Sequence, residues 1–387
     1  MKKILSLGLA LTMAVGMFAG CQASQGGASG YTANNTEYVI GLSGPLTGGA
    51  AVYGVAVKNS AQMAVDEINA AGGLDGVMFS LEAFDDQHDA TKVATNYAAM
   101  MDKGMVVSLG TVTSAPCLEF AKLSAEDNVF FLTPSASGDA VPEFDNGYQM
   151  CFADGNQGKV AAEYVNSLGL SEIGIFYKSD DAYSNGIFEQ FKENLDPSIA
   201  TVETVFTGEA SDFSSQISTL KDCSFIFMPI YYQPASIFMT QAKGIIADNA
   251  IYYGCDGFDG LAGQFDDFSV IPQEVSMLSH FDSNATEGMA AEYIAKYTEK
   301  FGAETLNQFG ASAYDCVYAI YNAMKSAIDA GEKIPVTISA SDLSDILKAK
   351  FTGGFTYSGV TGTDIKWQAN GYVDKGAIKY VLKEATK

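Results

Sequence analysis

Short, almost fully apolar runs alternate along most of the chain with longer stretches that are apolar on one helical face. Residues 38–42 form such a run and lead into a Gly/Pro/Thr-rich loop. Over residues 57–70, Ala61, Ala64, Val65 and Ile68 share one face, and Gly72-Gly73 ends the predicted helix. Residues 77–84 alternate and stop at Asp85-Asp86. A helix is predicted over 90–101, and residues 105–109 read as a buried strand ending at Gly110. A helix is predicted from about Ala115 and a strand over 129–132. After residue 155 the alternation resumes, with strands at 173–177, 201–206, 225–228 and 250–253 and helices at 182–195, 213–220 and 234–244. Helices follow at 285–301, 311–330 and 341–349, then a Gly- and Thr-rich tail of short strands over 355–382. Strands apolar on both faces and separated by helices indicate a parallel sheet covered on both sides. The order gives two similar α/β lobes, with the helices after the second lobe returning to the first.

Composition narrows the function. The chain has 387 residues, 46 acidic and 22 basic side chains, and a net charge of −24. All the basic residues are Lys, so a bidentate guanidinium clamp is excluded. No basic stripe is available to neutralise phosphates, which excludes nucleic acid as a partner.

The start of the chain reads as an address. Lys2 and Lys3 precede an apolar stretch over 4–18, and Phe18-Ala19-Gly20-Cys21 resembles the bacterial lipobox, in which the Cys is lipidated. Residues 1–20 are then a lipoprotein signal peptide and 21–36 a flexible tether. The expected location is extracytoplasmic, anchored to the cell membrane through Cys21. Cys117, Cys151, Cys223, Cys255 and Cys316 lack CxxC spacing and are expected mostly as buried free thiols.

Candidate chemistry gathers at predicted strand ends, where open α/β sheets bind ligands. Ser114 lies after Gly110-Thr111-Val112-Thr113, with Pro116 in the first turn of the next helix; Ser135 and Ser137 follow the next strand. Free N–H groups at a helix start and these hydroxyls can hold a carboxylate without a cation, or the serines simply cap helices. Asp256, in Gly254-Cys255-Asp256-Gly257, can take an ammonium or bond its own turn; Asp259 is the substitute. Tyr53, Tyr183, Tyr231 and Tyr232 offer apolar faces with polar tips. His88, between Asp86 and Asp89, is too isolated for a metal site, and His280 is expected near a lobe crossing in a structural role. Neither metal nor cofactor is expected. The chain contains no GxSxG, GxxxxGK[ST], GxGxxG or HExxH, which leaves a lipid-anchored hydrolase as a remote alternative.

Several motifs together resemble the branched-chain amino-acid-binding proteins, type I periplasmic binding proteins that feed ABC importers. They are Gly41-Leu42-Ser43-Gly44-Pro45-Leu46-Thr47-Gly48, Tyr53-Gly54, Ala64-Val65-Asp66-Glu67-Ile68-Asn69-Ala70-Ala71-Gly72-Gly73, Phe84-Asp85-Asp86, Leu132-Thr133-Pro134-Ser135-Ala136-Ser137, Asp212-Phe213-Ser214, Tyr231-Tyr232-Gln233-Pro234, Gly254-Cys255-Asp256-Gly257 and Asp364-Ile365 to Asn370-Gly371. The resemblance covers nearly all of 37–387. It implies two lobes joined by a hinge: 37–155 as the first part of lobe 1, 156–279 as lobe 2, 280–352 returning to lobe 1, and 353–387 as strands mostly in lobe 2. It implies a monomer that captures an amino acid, branched-chain or similar, for a permease and its ATPase. A sensory receptor subunit, or a binder of amides, urea or aromatic acids, are the alternatives. By resemblance the serines hold the α-carboxylate, Tyr53 lines the side-chain pocket, and Tyr183 with Tyr231-Tyr232 closes from the second lobe. The family usually has Glu where this chain has Asp256. Some relatives carry a disulfide at positions matching His88 and Thr113; this chain has no Cys there.

Overall fold

The computed structural model describes residues 35–386, so Cys21 and the leader lie outside the described residues. In chain order the first lobe begins with β1 (Tyr38–Gly44), α1 (Ala51–Ala70), β2 (Phe79–Asp85), α2 (Val93–Asp102), β3 (Met105–Thr111), α3 (Ser114–Glu126), β4 (Phe131–Thr133) and β5 (Gly147–Gln149). Their sheet runs β2-β1-β3-β4-β5 with every pairing parallel. Every residue of β1 and β3 is buried, as a strand with helices on both faces requires.

The second lobe is built from α4 (Asp154–Ser167), β6 (Glu172–Lys178), α5 (Ala182–Asn194), β7 (Ala200–Phe206), α6 (Ser214–Leu220), β8 (Phe225–Met228), α7 (Tyr232–Ala242), β9 (Ile251–Gly254) and β10 (Glu274–Ser279). The chain then returns as α8 (Gly288–Phe301), α9 (Gln308–Asp329) and α10 (Ala340–Thr352), followed by the hairpin β11 (Thr356–Gly359) and β12 (Gly362–Lys366), and finally β13 (Ile378–Lys383). The second sheet runs β13-β10-β9-β8-β6-β7, parallel except where β13 pairs antiparallel with β10. α9 packs along α1, which returns these helices to the first lobe.

The tail departs from the expectation that 353–387 sits mostly in the second lobe. β11 packs on α9 in the first lobe, Trp367 donates its Nε1–H to Gln149 O at 2.8 Å, and only β13 joins the second sheet. Tyr357 OH, the N–H groups of Val360 and Thr361, and the Thr361 hydroxyl all reach the buried Asp315 carboxylate of α9, which fixes the hairpin there.

Three elements went unread in the sequence: β5, α4 and β10. The start of α4, Asp154-Gly155-Asn156-Gln157-Gly158, is polar and glycine-rich, the signature of a loop. Gly158 has another reason: a Cβ there would sit 2.6 Å from Ile187 O of α5, so glycine lets the two helices approach closely. The five described cysteines are all buried and free.

Two of the strands linking the lobes meet in a buried hinge. Phe152, between β5 and α4, packs edge-on against His280, just after β10, with ring centroids 5.0 Å apart. His280 Nε2 lies 2.7 Å from Ser312 Oγ of α9. The third crossing, from β12 to β13, adds Lys375, fully buried, whose Nζ donates to Met150 O at 2.8 Å and to Thr361 Oγ1 at 2.6 Å.

Candidate functional site

Six strands aim their C-terminal ends at the space between the lobes. β1, β3 and β4 do so from the first lobe, and β6, β8 and β9 from the second. The segment after each strand lines the cleft. β3 ends and α3 begins at Ser114; β4 leads to Ser135 and Ser137; β6 leads to Tyr183; β8 leads to Tyr231; β9 leads to Asp256. Tyr53 arrives from the first turn of α1, which starts earlier than residue 57. Gly54 lies inside this helix, and its lack of a side chain is needed there, because a Cβ would lie 2.2 Å from Pro45 O.

These residues line a small cavity between the lobes, completed by Val112, Thr113 and Phe309. Seven of the eight sequence-derived ligand residues line it. Tyr232 does not. It stands behind Tyr53, edge-on at 4.9 Å, and its hydroxyl accepts from Val52 N–H at 3.4 Å. Its neighbour Tyr231, the residue before α7, is the one that faces inward, stacked on Tyr183 at 4.7 Å.

On the first-lobe wall, the N–H groups of Ser114 and Ala115 open α3 and have no acceptor within the helix. The Ser114 hydroxyl accepts from Gly138 N–H at 3.0 Å and keeps its own proton to donate. Ser135 differs: its hydroxyl donates to Val112 O at 2.6 Å and its N–H to Thr133 Oγ1 at 3.4 Å. The Ser137 hydroxyl is turned to Asp154. A carboxylate seated here would meet neutral donors at a helix N-terminus.

On the second-lobe wall, Asp256 is 1% exposed. Its Oδ1 accepts from Tyr183 OH at 2.7 Å, and the same phenol oxygen accepts from Gly257 N–H at 2.8 Å. Gln157 Oε1 holds Asp256 N–H at 3.0 Å. The other carboxylate oxygen, Oδ2, is buried without a partner. Burial pushes the carboxyl up to about 7, against the hydrogen bonds of Tyr183 and Gln157 that favour the anion. An unpartnered carboxylate oxygen in a dry site is a strong acceptor for an ammonium group. Asp259 turns elsewhere: its Oδ2 accepts from Gln308 N–H at 2.9 Å, at the start of α9.

The walls touch directly. Tyr53 OH of the first lobe donates to Gly257 O of the second at 2.6 Å. At the cleft mouth, His88 lies between the lobes. Its Nδ1 is 2.9 Å from Thr113 Oγ1, and its Nε2 is 3.7 Å from Asp181 Oδ2. Burial lowers the His88 pKa while Asp181 opposes the shift. His88 and Gln87 both have left-handed backbones, φ 61° and 55°, and the buried Asp86 carboxylate holds the turn by accepting His88 N–H at 2.9 Å. His88 and Tyr231 stand between the inner cavity and an outer groove of about 300 Å³ that Lys178 and Glu209 also line. Among the described residues, no group of three or more His, Cys, Asp or Glu side chains is placed to hold a metal ion.

Sequence reading missed Asp154. It is the first residue of α4, 1% exposed, with Oδ2 unpartnered beside the Asp256 site. Phe309, an apolar cavity wall from α9, was also missed. Asp154 follows β5, a three-residue strand that the pattern does not announce, and Phe309 follows no strand, so the signal that found the others was missing for both.

Two lobes of parallel sheet, a buried three-segment hinge and a polar cavity between them define the two-lobed class of ligand-binding protein. The sequence profile of the periplasmic binding protein family matches residues 37–372, and the chain belongs to that family, whose members bind substrates rather than transform them. Its curated relatives include the Leu/Ile/Val-binding protein BraC3 of Rhizobium johnstonii, 30% identical over 58% of this chain and 62% of that one. A Leu, Ile, Val, Thr and Ala-binding protein of Pseudomonas aeruginosa is 27% identical over 53% of this chain and 56% of that one. The matched part thus spans less than two thirds of these relatives. Among solved structures, the branched-chain amino-acid transporter substrate-binding protein LivJ of Streptococcus pneumoniae, in complex with isoleucine, superposes with a TM-score of 0.78 at 25% identity, covering 90% of this chain and 98% of that one. A leucine-binding protein of Thermotoga maritima superposes with a TM-score of 0.77 at 21% identity, covering 89% and 95%.

Proposed function

We propose that the chain captures an α-amino acid, branched-chain or similar, in its interlobe cleft and delivers it to the permease of an ABC importer. One observation carries the reading: a single cavity sets neutral anion donors at the start of α3 on one wall and the unpartnered Asp256 Oδ2 on the other. The Ser114 hydroxyl and the Ser114 and Ala115 N–H groups take the ligand's carboxylate. Asp256 takes its ammonium. Val112, Phe309 and the rings of Tyr53 and Tyr231 surround its side chain. The donors and the acid belong to different lobes, so a zwitterion gains its full set of contacts only in the closed form and shifts the hinge equilibrium toward it.

The relatives' named ligands support this choice. An amine-free aromatic acid, or urea, would leave Asp256 buried and unmatched, which disfavours the alternatives. The reading includes an extracytoplasmic monomer tethered through a lipid on Cys21, partnered by the importer's permease and ATPase.

A thermal-shift screen of the twenty amino acids tests the reading. A ligand at about 100 times its Kd stabilises the folded form by about 2.7 kcal/mol. Leu, Ile or Val should raise Tm, and a shift confined to acids or amides without an α-amine would contradict the assignment. Transport and sensing separate by reconstitution with the permease and ATPase: ligand-loaded protein should stimulate ATP hydrolysis.

A further inference from the structure

The closed cleft buries more acid than one amino group can neutralise. Asp154 is the excess. Its Oδ1 receives a long bond, 3.4 Å, from Gln157 Nε2, the Ser137 hydroxyl is turned toward the carboxylate, and Oδ2 has no hydrogen-bond partner. The charges of three other carboxylates act on it from three different segments: Asp256 from the turn after β9, Asp139 from the β4–β5 loop, and Asp181 from the residue before α5. The remaining titratable neighbours are the thiols of Cys151 and Cys255 and the phenols of Tyr183, Tyr231 and Tyr372. Burial raises the pKa of each of these thiols and phenols, so they bring no compensating charge. The basic groups around the cleft are engaged elsewhere. His88 faces Asp181, and the Lys375 ammonium is directed at Met150 O and Thr361 Oγ1.

The geometry points to Asp154 as a carboxyl that takes up one proton from solvent when the cleft closes on its ligand. This rests on the amino-acid reading. A zwitterion brings one ammonium, which Asp256 matches, and one carboxylate, which neutral donors match. A second ionised acid would then stand uncompensated in a buried site, and like charges sharing such a site do not both persist. The proton goes to the unpartnered Oδ2, and no other bond changes. Burial, followed by the charge of Asp256, raises the Asp154 pKa well above the ordinary carboxyl range, in keeping with this.

Linkage sets the sign. Asp154 holds its proton more tightly closed than open. Closure is therefore fully favoured below the open-form pKa and weakens as pH rises through the range where only the closed form is protonated. Through that range, affinity for L-leucine should fall as pH rises, by up to about tenfold per unit. Asp154→Asn, a neutral isostere, should flatten that slope and bind L-leucine more tightly than wild type at about pH 8.

Calorimetry of L-leucine binding at about pH 7.5, in buffers of differing ionisation enthalpy, counts the protons. Wild type should take up about one, and Asp154→Asn about none. Binding by wild type without proton uptake overturns the proposal and leaves the amino-acid reading standing. A second arm needs no ligand: small-angle scattering of the empty protein from about pH 8 to about pH 5. Wild type should contract toward the closed form on acidification, and Asp154→Asn should contract less, keeping only the part that the Asp256 carboxyl, itself raised by burial to about 7, contributes. An empty wild-type protein whose dimensions ignore pH overturns the proposal even if no amino acid binds, whereas failure of every amino acid to bind overturns the reading beneath it.

Discussion

At the scale of single residues, the cleft is an arrangement of hydrogen-bonding capacity left unspent. Asp256 receives bonds on one oxygen only, and Ser114 accepts one bond while keeping a proton to give. A charged partner left unpaired in a closed site costs about 2–5 kcal/mol, so Asp256→Ala should weaken amino-acid binding by roughly 30-fold or more. Ser114→Ala should cost less, on the order of 1 kcal/mol, because the N–H groups of α3 still hold the carboxylate. Calorimetry with folding checked by thermal melts measures both, and equal losses would contradict the division of labour. The placement of Asp256 and Ser114 at the cleft was legible before the structure because each follows a short apolar run that reads as a buried strand. The roles of Ser135 and Tyr232 were not. Whether a hydroxyl faces the ligand or a backbone carbonyl, and which of two adjacent tyrosines turns inward, depends on side-chain direction at a helix start. Composition and spacing do not carry that information.

At the scale of elements, periodicity found the helices with a clear apolar face and missed those whose design serves close contact. α4 begins with Asp154 and carries Gly158 against α5. Gly158→Leu should therefore force the two helices apart and destabilise the protein by about 1–3 kcal/mol. A lower Tm checks this, and an unchanged Tm would show that the helices can separate freely. The sequence placed Tyr53 before a helix, and the structure puts it in the first turn of α1, where Gly54 is a close-contact residue. β5, at three residues, is too short to announce itself by pattern. The disulfide positions of some relatives, His88 and Thr113, lie in hydrogen-bond contact here, so the same two points on the first lobe are joined by a weaker link.

At the scale of the whole molecule, the two-lobed plan was readable from the order of strands and helices, while the allocation of the tail was not. Nothing in residues 353–376 signals that Asp315, far away in sequence, holds the hairpin on the first lobe. The five described cysteines are buried singly, with thiols raised by burial where a shift is resolved. Reductant should therefore leave Tm unchanged, and alkylation should require unfolding; a Tm that drops on reduction would reveal a pairing. The lobes meet through Tyr53 and Gly257, so Tyr53→Phe should open the cleft more readily and speed ligand release, read as a faster dissociation rate in stopped-flow fluorescence. The central claim is that one wall takes a carboxylate and the other, through Asp256, an ammonium. Calorimetry of L-leucine against 4-methylpentanoate, the same carbon skeleton without the amine, on wild type and Asp256→Ala tests it most directly. Wild type should prefer L-leucine by roughly 30-fold or more, and Asp256→Ala should lose most of that preference. Equal preference in the two proteins would show that Asp256 does not hold the amine.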